Sequence, residues 1–324
     1  MTALVPITAF AHWPLAVASA SPHALHAILQ FFAAEVRNPN TRRAYIRAAQ
    51  DFFRHTAMMA AGNRLDTITS LHVSNWVEAM MRDGLSPPTV KLRLAAVGML
   101  FQSLVRERIV SINPATVVRG PKHSVKRGKT PVLSPDEARQ LLDAIDTSTL
   151  AGLRDRALIA AMIYTFARIG AVTAMTVDDV FTQQRRLWLR LREKGGKQHD
   201  VPCHHALELD LVAYMDAAEL RGTPRAPLFQ TLVRKTGLPA RLSGKPLSQS
   251  LAWDMIQRRT RDAGLLTRAC NHTFRATGIT AYLKNGGTIE RAATMANHAS
   301  TRTTQLYDRR PDDVTIEDVE RIRL

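Results

Sequence analysis

The sequence predicts a mainly helical chain of two domains, α+β in class because the second domain carries one small β-sheet. Three observations carry this. Apolar residues recur at helical spacing over most of the chain, one segment (RRLWLRLREKGGKQHDVPC) alternates with period two, and a basic stretch bearing Pro and Gly separates two helical regions. At 324 residues, 45% of them hydrophobic, the chain is long for one core and rich enough for two.

Residues 1–21 read as an N-terminal tail or partner-binding arm. The run LVPITAFAHWPLAVASA resembles a secretory signal, but no Lys or Arg precedes Arg37, and Pro6, His12 and Pro14 interrupt it. A helical module follows over residues 22–116. Ser21 and Pro22 suit an N-cap and first helical position, and Leu25, Ile28, Leu29 and Phe32 share a face. A second helix from Thr41 sets Tyr45, Ala48, Phe52 and Phe53 against a basic face of Arg42, Arg43, Arg47 and Arg54. Two more run from about Val73 to Arg82 and from Ser86 to Arg106, completing a four-helix unit.

Residues 117–131 form a linker without one acidic residue, carrying Arg119, Lys122, Lys126, Arg127 and Lys129. Such a strap suits a phosphate backbone, because each cation releases condensed counterions. The second domain spans residues 132–312. It opens with a capping box of Ser134 and Glu137 and continues into an apolar helix from about Gly152 to Phe166. In the alternating segment Leu187, Leu189 and Leu191 share one face, and Gly195 and Gly196 supply a turn, giving a β-hairpin. The remainder reads as helical, broken at 222–227, 237–246 and 286–287. In residues 313–324, Val314, Ile316, Val319 and Ile322 form a short stripe that folds by docking, on its own domain or on a neighbouring protomer.

The charge narrows the partner. Lys and Arg exceed Asp and Glu by +16, with an isoelectric point near 10.7, so the partner is a polyanion: nucleic acid first, an anionic membrane surface second. No stretch approaches the roughly 20 apolar residues of a spanning helix, which argues against membrane insertion. Cys203 and Cys270 lack ligand spacing and fit a reducing compartment such as the cytoplasm. Cys203, His204 and His205 adjoin, but neighbours in a strand face opposite ways and do not make a metal site.

Several polar residues of the second domain fit anion chemistry. Arg168 in TFARIGAV ends the apolar helix; Lys194 sits at the hairpin tip; His272 and Arg275 in NHTFRATGI are three apart and share a helix face. His298 precedes Tyr307 by nine positions in NHASTRTTQLYDRR. Singly, each is an ordinary surface or structural residue. Their order and spacing resemble the tyrosine recombinase (phage integrase) family over most of the chain. That pattern has an Arg after a long helix, a hairpin Lys in Lys-Gly-x-Lys, a His-x-x-Arg pair, and a His or Trp nine residues before a nucleophilic Tyr. Lys194 matches the hairpin lysine, with Lys197 the runner-up. The first module, with Thr41, Arg42, Tyr45 and the Asn113-Pro114 exit, resembles the family's core-binding (SAM-like) domain.

The resemblance implies DNA strand cleavage and rejoining at a recombination site. Arg168, Lys194, His272, Arg275, His298 and Tyr307 would be the catalytic residues, and no metal or cofactor is called for. It also implies a C-shaped clamp on double-stranded DNA, with contacts from Arg42, Arg43, Arg47, Lys91, Arg119, Lys122, Lys126, Arg127 and Lys129. The protein would be a monomer or weak oligomer when free and a homo-tetramer on DNA, exchanging strands through a Holliday junction. Three positions depart from the pattern: Ala171 stands where an acid usually follows the first Arg, Ala296-Asn297 replaces Leu-Gly before His298, and Ala276 follows Arg275. A type IB topoisomerase and a non-cleaving DNA-binding regulator are the alternatives.

Overall fold

The computed structural model describes residues 13–59, 63–123, 128–193, 196–233 and 239–309. The chain divides into two compact units, 1–124 and 125–324. In the first, α1 (Leu15–Ala18) precedes α2 (Pro22–Gln30), whose start is capped by the Ser21 hydroxyl as the sequence suggests. The expected tail is corrected from Trp13 onward: Trp13, Ala16 and Val17 are buried, and α1 packs on α3 (Pro39–Thr56). An apolar run next to an open core gains more by burial than by trailing in water. Residues 1–12 lie outside the described residues.

Past Gln30 the helix widens into a π turn over Phe31–Glu35, which buries Phe31 and Phe32. The turn leaves carbonyls without helical partners, and Arg42 donates to two of them, Ala33 O at 3.0 Å and Val36 O at 3.1 Å. Helices α4 (Ser70–Arg82) and α5 (Pro87–Arg106) complete the unit. Phe52 lies at its centre, edge-on to Trp76 (5.1 Å) and Phe101 (6.0 Å). The Trp76 indole donates to Asp51, which also takes Arg93.

The second unit is built around α7 (Leu150–Tyr164), buried nearly all round, and entered through α6 (Pro135–Asp143) with the expected Ser134 and Glu137 capping box. After α8 (Ile169–Thr173), a three-stranded antiparallel sheet runs β1 (Val180–Gln183), β2 (Arg186–Arg192), β3 (Gln198–Pro202) in that order. Leu189 and Leu191 turn inward as the alternation predicts. Then come α9 (His205–Ala217), β4 (Gln230–Val233) paired antiparallel with β5 (Arg241–Pro246), α10 (Gln249–Asp262), α11 (Asn271–Lys284), α12 (Ile289–Met295) and α13 (Thr301–Gln305). The β4–β5 pair corrects the break read at 237–246: its strands are too short to display a period. Helix α7 packs against α9 and α11. Buried Asp155 gathers Arg154 (2.6 Å), Arg259 (2.9 Å) and Arg258 (3.5 Å), while Arg154 reaches the Gln230 carbonyl, tying α7 to α10 and the second hairpin. No helix among the described residues is long and apolar enough to cross a membrane.

Candidate active site

Arg168 does not end the long helix. Helix α7 stops at Tyr164, and the chain turns through Phe166 in the left-handed region (φ 56°), so Arg168 becomes the N-cap residue of α8. That turn, unfavourable by about 1–2 kcal/mol for a residue with a side chain, leaves the Phe166 carbonyl accepting a hydrogen bond from the Arg275 guanidinium. Gly278 makes the approach possible: a Cβ there would sit 2.0 Å from the Ile163 carbonyl and 2.8 Å from the Phe166 ring. Helix α11 can therefore lie against the end of α7, with Arg275 one turn earlier on it.

Arg275 is 1% exposed. Its Nη1 donates to Phe166 O, and its Nη2 reaches Ala296 O and His298 Nε2, each at 2.6 Å. A guanidinium only donates, so Nε2 of His298 is the acceptor and the ring proton lies on Nδ1, which donates to Thr304 Oγ1 at 2.9 Å. Burial, then Arg275 and Arg168, push His298 down to about 4, so it is neutral at pH 7. Donation from its Nε2 to a phosphate needs a second proton on the ring. Burial and Arg168 likewise draw Arg275 down to about 10, with Glu193 and Tyr307 acting the other way.

The Tyr307 ring lies parallel to His298, centroids 5.9 Å apart and 9° between planes. It packs on a small core of Phe166, Ile279, Leu283, Ala292 and Ala296, separate from the main core of the unit. Its backbone is held from two sides. Thr280 Oγ1 donates to Tyr307 O (2.9 Å), while the Gly128 N–H donates to Leu306 O (2.8 Å) and Arg309 Nη2 reaches Gly128 O (2.5 Å) and Thr130 O (3.3 Å). A Cβ at 128 would stand 2.6 Å from Leu306 O, so this clasp needs glycine. His272 opens α11 at the exposed rim, and partial burial, Arg275 and Arg168 lower its pKa. Lys194 lies outside the described residues; the flanking Glu193 N–H donates to Lys197 O at 2.7 Å.

Two neighbours were not foreseen. Glu193 is buried and pairs with Arg168 at 2.5 Å, with Arg275 3.8 Å away. Its one signal in the sequence is that it is the only acid between Asp179 and Asp200, at the end of a basic strand. His199 on β3 lies 3.2 Å from Met295 O through Nε2 and 3.3 Å from Asn297 Nδ2 through Nδ1, fastening the hairpin to the loop before His298. Of the residues expected to meet a polyanion, Arg43, Arg47, Lys91, Arg119, Lys122 and Lys129 are exposed. Arg42 instead turns onto the π-turn carbonyls, and Lys126 and Arg127 lie outside the described residues.

Residues 131–313 match the model of the phage integrase family, and residues 29–108 match the phage integrase N-terminal SAM-like domain. The chain belongs to the phage integrase family. As a member of it, the chain is a tyrosine recombinase, a DNA-binding enzyme of site-specific recombination. Its relatives include tyrosine recombinase XerD of Listeria innocua, 25% identical over 268 residues (83% of this chain, 87% of that protein). Tyrosine recombinase XerC of a Mycobacterium species is 27% identical over 288 residues, covering 87% of this chain and 92% of its own. Among solved structures, XerH recombinase in a post-cleavage complex with its palindromic difH substrate has the same fold, with TM-score 0.69, 18% identity and 94% and 84% of the two chains covered. A lambda integrase dimer on a COC′ core site matches with TM-score 0.66 and 18% identity, over 90% of this chain and 79% of that one.

Proposed function

We propose that this recombinase cuts DNA by attack of the Tyr307 hydroxyl on a phosphodiester, leaving a 3′-phosphotyrosine and a free 5′-hydroxyl. The observation that carries the reading is the convergence of Tyr307, His298 and Arg275, with Arg168 joined to the group through Glu193. The Tyr–O–P bond forms as the P–O5′ bond breaks, and the transition state concentrates negative charge on the non-bridging oxygens. Arg168 offers forked, charge-assisted donors to those oxygens, and Arg275 adds its positive charge and the one N–H group, Nε, that bonds nothing among the described residues; both matter most where charge develops. A phenol is mostly protonated at neutral pH and needs an acceptor. His272, kept neutral by its lowered pKa, suits that role. The departing 5′-oxygen needs a proton, and Lys194 is its source. The phosphotyrosine conserves the bond energy, so rejoining runs the same steps backwards without ATP.

Tyr307 rests on a core of its own chain, which favours attack on the phosphate held by its own arginines. Four protomers would pair two sites and exchange strands through a Holliday junction; lambda integrase, of the same fold (TM-score 0.67), is found as a tetramer on one. The exposed cations of the first unit and of the linker would follow the DNA backbone, sequence-independently and with strong salt dependence.

The test begins with a site selected by the purified protein from random-sequence duplexes. A nicked version of that site traps the covalent product. Wild type should form the adduct, and Tyr307→Phe should bind the same DNA without forming it. Adduct in the phenylalanine variant would overturn the assignment. Relaxation of a plasmid lacking the site would favour the topoisomerase alternative.

A further inference from the structure

The two arginines of the site carry like charge, yet both face one buried carboxylate. The Glu193 side chain is 3% exposed, against 37% for Arg168 and 1% for Arg275. Its Oε2 meets Arg168 Nη1 at 2.5 Å. Its Oε1, 3.8 Å from Arg275 Nη1, hydrogen-bonds nothing among the described residues, and neither does Arg275 Nε. Helix α8 supplies no alternative, because position 171, on the first turn after Arg168, is a buried alanine. Burying a carboxylate is costly in desolvation, and neighbouring cations offset that cost. Here both cations are the groups assigned to the phosphate.

We propose that Glu193 is the positioning residue of the arginine pair, holding Arg168 and Arg275 at the spacing that receives one phosphate. The inference rests on the cleavage reading above. Glu193 offsets the repulsion between the guanidiniums and fixes Arg168, which is otherwise half in water and free to sample many rotamers. Oε2 engages one Nη of Arg168, so its remaining N–H groups stay available to an incoming anion. Because Glu193 directly follows strand β2, the same ion pair fastens the end of that strand to Arg168. In this chain the hairpin therefore supplies the carboxylate that Ala171 cannot.

Glu193→Gln keeps the shape and removes the charge, and two measurements on the full chain test it. The first needs no DNA: phenylglyoxal attacks unpaired guanidines, and labelling is followed peptide by peptide by mass spectrometry. Arg168 should label several-fold faster in Glu193→Gln than in wild type, with exposed Arg302 unchanged as the internal standard. An equal Arg168 rate would sink the pairing. The second uses the nicked site. Glu193→Gln should form adduct about tenfold or more slowly, as small misplacements of reacting groups do, while its DNA affinity stays near wild type. Glu193→Asp, which keeps the charge, should recover part of the rate. Equal adduct rates, or a loss of rate matched by an equal loss of affinity, would overturn the positioning role. Should wild type form no adduct, the cleavage reading fails, and the labelling result alone decides whether Glu193 orders Arg168.

Discussion

Arg275→Ala should damage the fold as much as the chemistry. Its guanidinium is the shared partner of two carbonyls, Phe166 O and Ala296 O, from segments 130 residues apart, and it neighbours the Glu193 carboxylate. Truncation leaves both carbonyls in an interior where the arginine was 1% exposed. At about 1–3 kcal/mol for each buried unsatisfied acceptor, the loss is about 4 kcal/mol, in line with the 3–5 kcal/mol for removing one member of a buried ion pair. For a unit of some 200 residues, about 2–4 °C per kcal/mol makes the expected fall in Tm about 8–16 °C. Thermal melts followed by circular dichroism measure it, with Tyr307→Phe as control. That variant loses one hydroxyl from a partly buried residue, leaves both carbonyls their arginine, and should melt within about 2 °C of wild type. An Arg275→Ala protein melting beside the control would refute the reasoning, since the carbonyls would then have found other partners. A large fall carries a practical corollary: loss of cleavage in this variant is no clean measure of catalysis. Arg168→Ala is the better probe, because that residue is half-exposed, and removing its donor should slow adduct formation about a hundredfold or more.

Three further outcomes are expected. Gly278→Ala puts a methyl group 2.0 Å from the Ile163 carbonyl and should destabilise by about 1–3 kcal/mol despite the better helix propensity of alanine; an unchanged Tm would mean that α11 shifts freely along α7. His298 binds its proton less readily when folded (about 4) than at its ordinary value of 6.5, so the unfolded chain holds more protons between those values and stability falls as pH drops through that window. His199 and His272 are lowered too and act in the same sense, and His298→Gln should flatten part of the slope in denaturant midpoint against pH; an identical slope would clear His298. Lys194→Ala should cleave ordinary DNA poorly yet cleave a site with sulfur as the bridging 5′-atom well, because a thiolate leaves without a proton; equal defects on both substrates would mean that Lys194 only positions phosphate or that Lys197 is the acid.

The helices and the first hairpin were legible because they depend on local pattern: Ser134 and Glu137 cap α6 as written, and Leu189 and Leu191 turn inward as their alternation requires. What escaped was decided by tertiary partners. Arg42 sits on the basic face of α3, and only the π turn, which leaves the carbonyls of Ala33 and Val36 open, explains why it folds inward. Glu193 reads as one acid in a basic strand until the turn at Phe166 brings Arg168 beside it. The β4–β5 hairpin has four- and six-residue strands, the second ending in Pro246, too brief for alternation to outweigh the turn residues around it. Trp13 and Val17 gave no sign that the core needed them, since a short apolar run looks the same whether it trails or packs.

The clasp at Gly128 bears on when the enzyme becomes dangerous to DNA. It joins positions 181 residues apart, Arg309 to Gly128, so its closure carries the entropic cost of a long-range contact. Contacts of such separation form late, whereas a helical unit rich in local contacts forms early. A newly made or partly unfolded chain can thus have its first unit intact while the tyrosine segment hangs unfastened. If Tyr307 is the nucleophile, as proposed above, such a chain could occupy DNA but would hold no nucleophile against it. On the cleavage reading proposed above, completing the fold and acquiring the capacity to break a strand would be one event.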